Sequence, residues 1–264
     1  MNVTFDFSGK HVFVFGGTTG INFGIARSFM LAGARVSVAS RKQENIDNAV
    51  QTLSELGGDV FGVSADVRDF DAVGRAFALA HERFGPIDVL VSGAAGNFLT
   101  PINALSPNGF KVVVDIDLNG TFHVMRQVFD HLAKPGASVI NITAPQSVIP
   151  IRQQAHEGAA KAGIDQLTRI AALEWGPFGV RVNAISPGPI DGTEGMKRLS
   201  PEGGGEEVAR MVPLGRLGRP EDIGNLAMFL ASDAASFLSG AIIPCDGGGA
   251  IESVKPMIDA AARG

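Results

Sequence analysis

Tyrosine is absent from this chain of 264 residues, which removes the phenol from any acid–base chemistry it performs. Cys245 is the single cysteine, so neither a disulfide framework nor a thiolate metal cluster can be assembled. The five histidines show no metal-ligand spacing, and no metal is expected. Positive charge is not in excess either: 22 Lys and Arg stand against 27 Asp and Glu. Without a basic stripe to follow a phosphate backbone, nucleic acid is excluded as a partner. Long apolar runs are missing, since none reaches the roughly 18 residues of a membrane span. MNVTFDFSGK has no basic region leading into an apolar stretch, and the terminal AARG is not a peroxisomal tripeptide. Together these absences lead to the expectation of a soluble cytoplasmic protein with no membrane partner.

What is present is a regular alternation. Apolar residues make up 45% of the chain, ample for one large core. Short apolar runs at His11–Phe15, Arg35–Ser40, Asp59–Ala65, Ile87–Gly93, Ser138–Thr143 and Val180–Ser186 read as strands, and GAIIPCDGG supplies a seventh. Amphipathic stretches of about 12 to 24 residues separate them, long enough for crossover helices. The pattern predicts one α/β domain over residues 1–264, a Rossmann-type doubly wound sheet of seven parallel strands. There is no repeat and no linker. SPEGGGEE, Ser200–Glu207, reads as a surface loop.

FGGTTGINFGIA joins the first strand to the first helix. Gly16 and Gly20 permit a tight turn and close backbone approach, with Thr18 and Ile21 inside it, so a pyrophosphate can lie on the helix N-terminus. Asn22 stands where a third glycine is usual. After the second strand, Ser40-Arg41-Lys42 replaces the acidic residue that would hold a ribose 2′-hydroxyl. The planar fork of Arg41 suits a 2′-phosphate, which points to NADPH/NADP over NADH. Asp66 and Val67, after the third strand, would flank the adenine.

With AAGNF (94–98), NGTF (119–122), AAKAGID (159–165), RVNAISPGPI (181–190) and a terminal DGG, the chain resembles the short-chain dehydrogenase/reductase family over nearly its whole length. GAAGNFL, DIDLNGTF, NITA, HEGAAKA, EWGP and PGPIDGTEG make it most similar to 2,4-dienoyl-CoA reductases of the peroxisomal type. The departures are as informative. Most members carry a Tyr four residues before the Lys and a Ser thirteen residues before that Tyr; counted from Lys161, those places hold Glu157 and Ala144. Mitochondrial dienoyl-CoA reductases keep a Tyr fifteen residues before the Lys, here Gln146. The usual Asn pair after the fourth strand is Ser92-Gly93.

A ketone reductase must protonate an alkoxide directly, so losing the tyrosine is crippling for that reaction. Reduction of a conjugated thioester instead collects charge on a distant thioester oxygen, which preorganised donors can stabilise while a proton is added to carbon. The resemblance therefore implies reduction of an unsaturated acyl-CoA, best a 2,4-dienoyl-CoA. Another activated double bond or carbonyl, or a dinucleotide-binding sensor without activity, remains open as an alternative.

It also implies site residues. Lys161 would hold the nicotinamide ribose and place charge near the oxyanion, Asp117 would orient water, and Asn119 would occupy the family's helix-kink asparagine position. Glu157 stands one turn before Lys161 and reads as an i,i+4 ion-pair partner, with a proton donor of raised pKa as its alternative. His156 could donate the proton too, though its place at a helix start suggests a solvent-facing or capping role. Ala94, Pro187, Ile190 and Thr193 would line the cofactor, and Asn97, Phe98 and Gln146 the substrate. Residues 193–216 would form a lid, whose Met196–Arg198 run and Arg210 could meet acidic groups of coenzyme A. The resemblance implies a homotetramer.

Overall fold

In the computed structural model, which describes residues 3–199 and 205–251, strand and helix alternate as the hydrophobic pattern requires. Strand β1 is His11–Phe15, β2 Arg35–Ser40, β3 Val60–Ser64, β4 Val89–Ser92, β5 Ser138–Ile142, β6 Arg181–Pro187 and β7 Ile242–Cys245. They form one parallel sheet in the order β3-β2-β1-β4-β5-β6-β7. The order reverses between β1 and β4, and ligands of such sheets bind outside the carboxyl ends of the strands at that point.

Both faces of the sheet are covered, and β1 shows why its run is apolar without interruption. Val12 and Val14 face one core with Ile25, Phe29 and Ile223. Phe13 and Phe15, pointing the opposite way as strand pleating demands, join Val73, Phe77 and Val124 in the other. Helices α1 (Gly20–Leu31), α2 (Gln43–Ser54) and α9 (Pro220–Ala231) lie on the first side; α3 (Phe70–Phe84), α5 (Gly120–Val128) and α6 (Ala155–Trp175) lie on the second. The crossing of α1 and α9 depends on Gly24, where an added Cβ would lie 2.2 Å from Pro220 Cβ. Asp69 caps α3 by accepting from the Ala72 amide at 2.9 Å, and Ser106 caps α4 (Pro107–Val114) through the Gly109 amide at 3.0 Å.

Two irregularities shape the site. Between α4 and α5 the chain makes a π turn over Asp115–Asn119, and Gln153, just before α6, takes a positive φ of 66° although it is not glycine. Such strained or widened backbone persists where the surroundings over-determine it. Of the Ser200–Glu207 stretch expected to be a loop, 200–204 lie outside the described residues and the remainder opens α8 (Gly205–Met211), which follows α7 (Glu194–Leu199). Among the described residues no helix is long and apolar enough to cross a membrane.

Candidate active site

At the nucleotide end, Gly16 and Gly20 both have positive φ, 80° and 57°. A Cβ at Gly16 would lie 2.9 Å from the Ala94 nitrogen, so the turn needs glycine for its dihedral and for its approach to the end of β4. Over Gly20 the first atom an added Cβ would meet is the Thr193 methyl carbon, 3.8 Å away, which leaves a shallow cradle. α1 begins without a side-chain cap and without an acid in its first turn, so its free amides and positive dipole end face that cradle. Thr18 is buried and Ile21 half-buried beside it. These residues fit the pyrophosphate of a dinucleotide.

The departures at Asn22 and Gly93 are one feature. Asn22 is buried and its Nδ2 donates to the Gly93 carbonyl at 2.7 Å. A Cβ on residue 93 would fall 2.2 Å from Asn22 Oδ1. The asparagine that replaces a glycine in the turn thus requires the glycine that replaces an asparagine after β4.

Arg41 is exposed at the end of β2 and makes no ion pair among the described residues. Asp66 is held by Arg68, whose Nη2 lies 2.6 Å from Oδ2. That hydrogen bonding, with a smaller contribution from the Arg41 charge, keeps its carboxyl below the usual range against the raising effect of burial. Val67 is buried against Gly120 and its carbonyl bonds the His123 ring at 2.7 Å.

The reaction end is built from buried charge. Glu157, Lys161 and Asp165 follow one another at four-residue spacing on α6, so they share one inward face. Asp117 arrives from the π turn. Its Oδ2 lies 3.0 Å from Lys161 Nζ, the side chains being 0% and 4% exposed. Asp117 Oδ1 accepts from the Gly96 amide at 2.8 Å, and Nζ also donates to the Ile142 carbonyl at 3.4 Å. Glu157 Oε1 stands 3.9 Å from Nζ, outside hydrogen-bonding range. The expected Glu157–Lys161 pair is therefore the looser of two contacts, because Asp117 occupies the close position.

Burial alone would depress the Lys161 ammonium; the charges of Asp117 and Glu157, the Asp117 hydrogen bond and the Asp165 charge outweigh it, and its pKa is raised. Burial pushes the Glu157 carboxyl up to about 7, with Lys161 opposing and Asp117 reinforcing the shift. Asp165, which sequence reading passed over although its four-residue spacing signals it, is buried with Oδ1 unpartnered.

Asn119 does not join this cluster. It is exposed, and its Nδ2 donates to Asp115 at 3.0 Å on the outer side of the helix. Two residues along a helix point to nearly opposite faces, so with Asp117 turned inward Asn119 must turn out; Asp117 takes the kink position expected of Asn119.

His156 corrects a second expectation. It is fully buried rather than solvent-facing or capping, because the Phe98 ring covers it at a centroid distance of 4.5 Å. Neither ring nitrogen makes a hydrogen bond of normal geometry. Burial lowers its pKa, with the Phe98 backbone and Asp117 charge opposing.

Gln154, a residue without a sequence signal, ties the substrate-side segments together. Its Oε1 accepts from Gln146 at 2.7 Å and from Asn97 at 3.2 Å, while Thr100 donates to the Gln153 carbonyl at 3.0 Å. An open cleft of about 750 Å³ borders Gln146, Gln154, Ile102, Val148 and Ile151.

At the end of β6, Pro187 pairs with Cys245. Buried Ile190 bridges to Gly218, and Thr193 Oγ1 donates to the Ile190 carbonyl at 2.8 Å, which seats Thr193 over the glycine turn. The side chains of Lys197 and Arg198 lie outside the described residues. Arg210 is exposed, with Nε on the Glu206 carbonyl at 3.2 Å.

A doubly wound sheet with a glycine turn at its switch point and a buried lysine–carboxylate pair at its carboxyl edge defines a dinucleotide-dependent oxidoreductase. The family model described as Enoyl-(Acyl carrier protein) reductase matches residues 16–249, and the chain belongs to this family of short-chain dehydrogenases/reductases. It is 42% identical to a peroxisomal 2,4-dienoyl-CoA reductase of Pongo abelii, over 90% of this chain and 83% of that one. It is 40% identical to a peroxisomal 2,4-dienoyl-CoA reductase of Saccharomyces cerevisiae, over 92% and 84%. The solved structure of a short chain dehydrogenase from Bacillus anthracis shares 36% identity with a TM-score of 0.82, covering 91% of this chain and 96% of that one.

The cytoplasmic expectation is overturned by these names, which point to peroxisomes rather than the general cytoplasm. Composition reports solubility; a cellular address is read by a receptor.

Proposed function

We propose that this protein uses NADPH to reduce an unsaturated acyl-CoA thioester, specifically a 2,4-dienoyl-CoA. The observation that carries the reading is the Lys161–Asp117 pair, 3.0 Å apart and buried, in a site with no tyrosine. When bound, a nicotinamide dinucleotide supplies the hydride. Gly16, Thr18, Gly20 and Ile21 receive its pyrophosphate, and Arg41 offers a charge-assisted fork to the 2′-phosphate. Asp66, Val67, Ala94, Pro187, Ile190 and Thr193 complete the cofactor cleft.

Lys161 holds the nicotinamide ribose and stabilises the dienolate oxygen. Asp117 keeps that ammonium charged and aimed. Removing a buried pair's partner leaves an uncompensated charge, so the two act as a unit. Asn97, Phe98 and Gln146 border the acyl group. The relatives' names support the substrate class, and the family resemblance supports assembly as a homotetramer.

Anaerobic mixing with NADPH and a 2,4-dienoyl-CoA, followed by cofactor absorbance, tests the reading. Dienoyl thioesters are expected to consume NADPH and simple short ketones are not; efficient ketone reduction would overturn it.

A further inference from the structure

The Lys161–Asp117 pair leaves the buried carboxyl of Glu157 without a task. Glu157 is 5% exposed, its Oε1 is too far from Lys161 for a hydrogen bond, and its Oε2 is buried with no partner. Buried polar atoms are almost always satisfied, so an orphan carboxyl oxygen beside the reacting centre marks either a missing ligand or a bound proton.

We propose that Glu157 is the acid that protonates the reduced substrate in this chain, replacing the tyrosine in function as it does in position; this rests on the reading of the site as a conjugated-thioester reductase. The surrounding charges explain why the carboxyl keeps its proton. Lys161, on the same helix, is already neutralised by Asp117 at 3.0 Å, and Asp165 faces Lys161 from the next turn. A further full anion at Glu157 would be an excess negative charge in a desolvated site. Among the described residues no other element relieves it. Segment 94–100, which covers the site, has no titratable side chain, and 145–153 has only Arg152, which is exposed. α4 brings Lys111, exposed and paired with Asp115, and β6 brings Arg181, bonded to the Leu230 carbonyl. The carboxyl consequently sits at about 7, the proton affinity suited to an acid that works near neutrality.

The step balances within the site. After hydride addition the electron pair rests on the thioester oxygen as a dienolate. As that pair returns toward carbon, a C–H bond forms with the proton of the Glu157 carboxyl while its O–H bond breaks. The carboxylate that remains faces Lys161, and takes a proton from solvent before the next turnover.

The test compares wild type with Glu157→Gln, which keeps shape and polarity but carries no acidic proton, using NADPH and a dienoyl-CoA. The variant should lose about 100- to 10,000-fold in kcat, the range of general acid catalysis. KM and the affinity for NADPH should stay within about twofold. In wild type, kcat should fall as pH rises through about 7, and the variant should lack that limb. Carbon-13 NMR of carboxyl-labelled glutamate in the cofactor-free protein should show one signal titrating near 7 that the variant lacks. If the variant fails to fold, the wild-type profile and titration decide: a flat kcat profile, or no glutamate above the ordinary range, sinks the idea. An active wild type with an equally active variant overturns this inference alone, whereas a wild type inert towards every dienoyl thioester overturns the proposed function itself.

Discussion

The two halves of the site are made by different means. Around β1–β3 the cofactor end presents backbone and an exposed charge: a glycine turn whose elements adjoin in sequence, an open helix terminus, and Arg41 at a strand end. The reaction end consists of buried charges from positions 117, 157, 161 and 165, and from the 96 amide. A surface half tolerates substitution in stability and responds in affinity. A buried half couples every ionisable group to its neighbours, so one change alters charge, proton affinity and packing together.

The sharpest way to break this contrast is Lys161→Ala. Loss of a preorganised oxyanion stabiliser costs on the order of 100- to 1000-fold in turnover, and here the ribose contact goes with it, so kcat measured at saturating NADPH should fall by at least that factor. Glu157 gives a stability counterpart. Its folded-state pKa of about 7 lies above its ordinary 4.5, so its contribution is intact below about 4.5 and lost as pH rises through about 7. At 1.36 kcal/mol per pKa unit this is roughly 3 kcal/mol. Denaturant melts should show wild type losing stability across that window and Glu157→Gln losing less.

Asp117→Asn keeps the shape but removes the charge that holds the Lys161 ammonium in place; kcat for a dienoyl-CoA should fall about 100-fold, with the larger part of the loss in kcat rather than KM. The smallest effect belongs to the surface half. Arg41→Asp should reverse a preference for NADPH over NADH, through contacts worth about 1.5 to 3 kcal/mol, leaving the denaturant midpoint unchanged. Cofactor affinities by fluorescence titration check the first part and urea unfolding the second. An Arg41→Asp protein that binds both cofactors as wild type does would mean the surface half is not where the 2′-phosphate is read.

What the sequence by itself determined is whatever depends on local pattern. Uninterrupted apolar runs gave β1 and β2 to the residue, and the others within one to three residues, since a parallel strand buried on both faces has no polar alternation to blur it. The glycine turn and Arg41 were equally legible, as adjacency fixes their relation to strand ends. Lys161 and Asp117 were found by resemblance, but their 3.0 Å contact was not. Only the tertiary structure brought Asp117, which turns inward on the same face as Val113 and Thr121, to the Gly96 amide and Lys161, and left Asn119 on the outer side. It alone buried His156 beneath Phe98 and joined Asn97, Gln146 and Gln154. It alone made Glu157 a weak acid, for proton affinity follows from the water and charge that packing removes or brings near, and no neighbour in sequence carries that information.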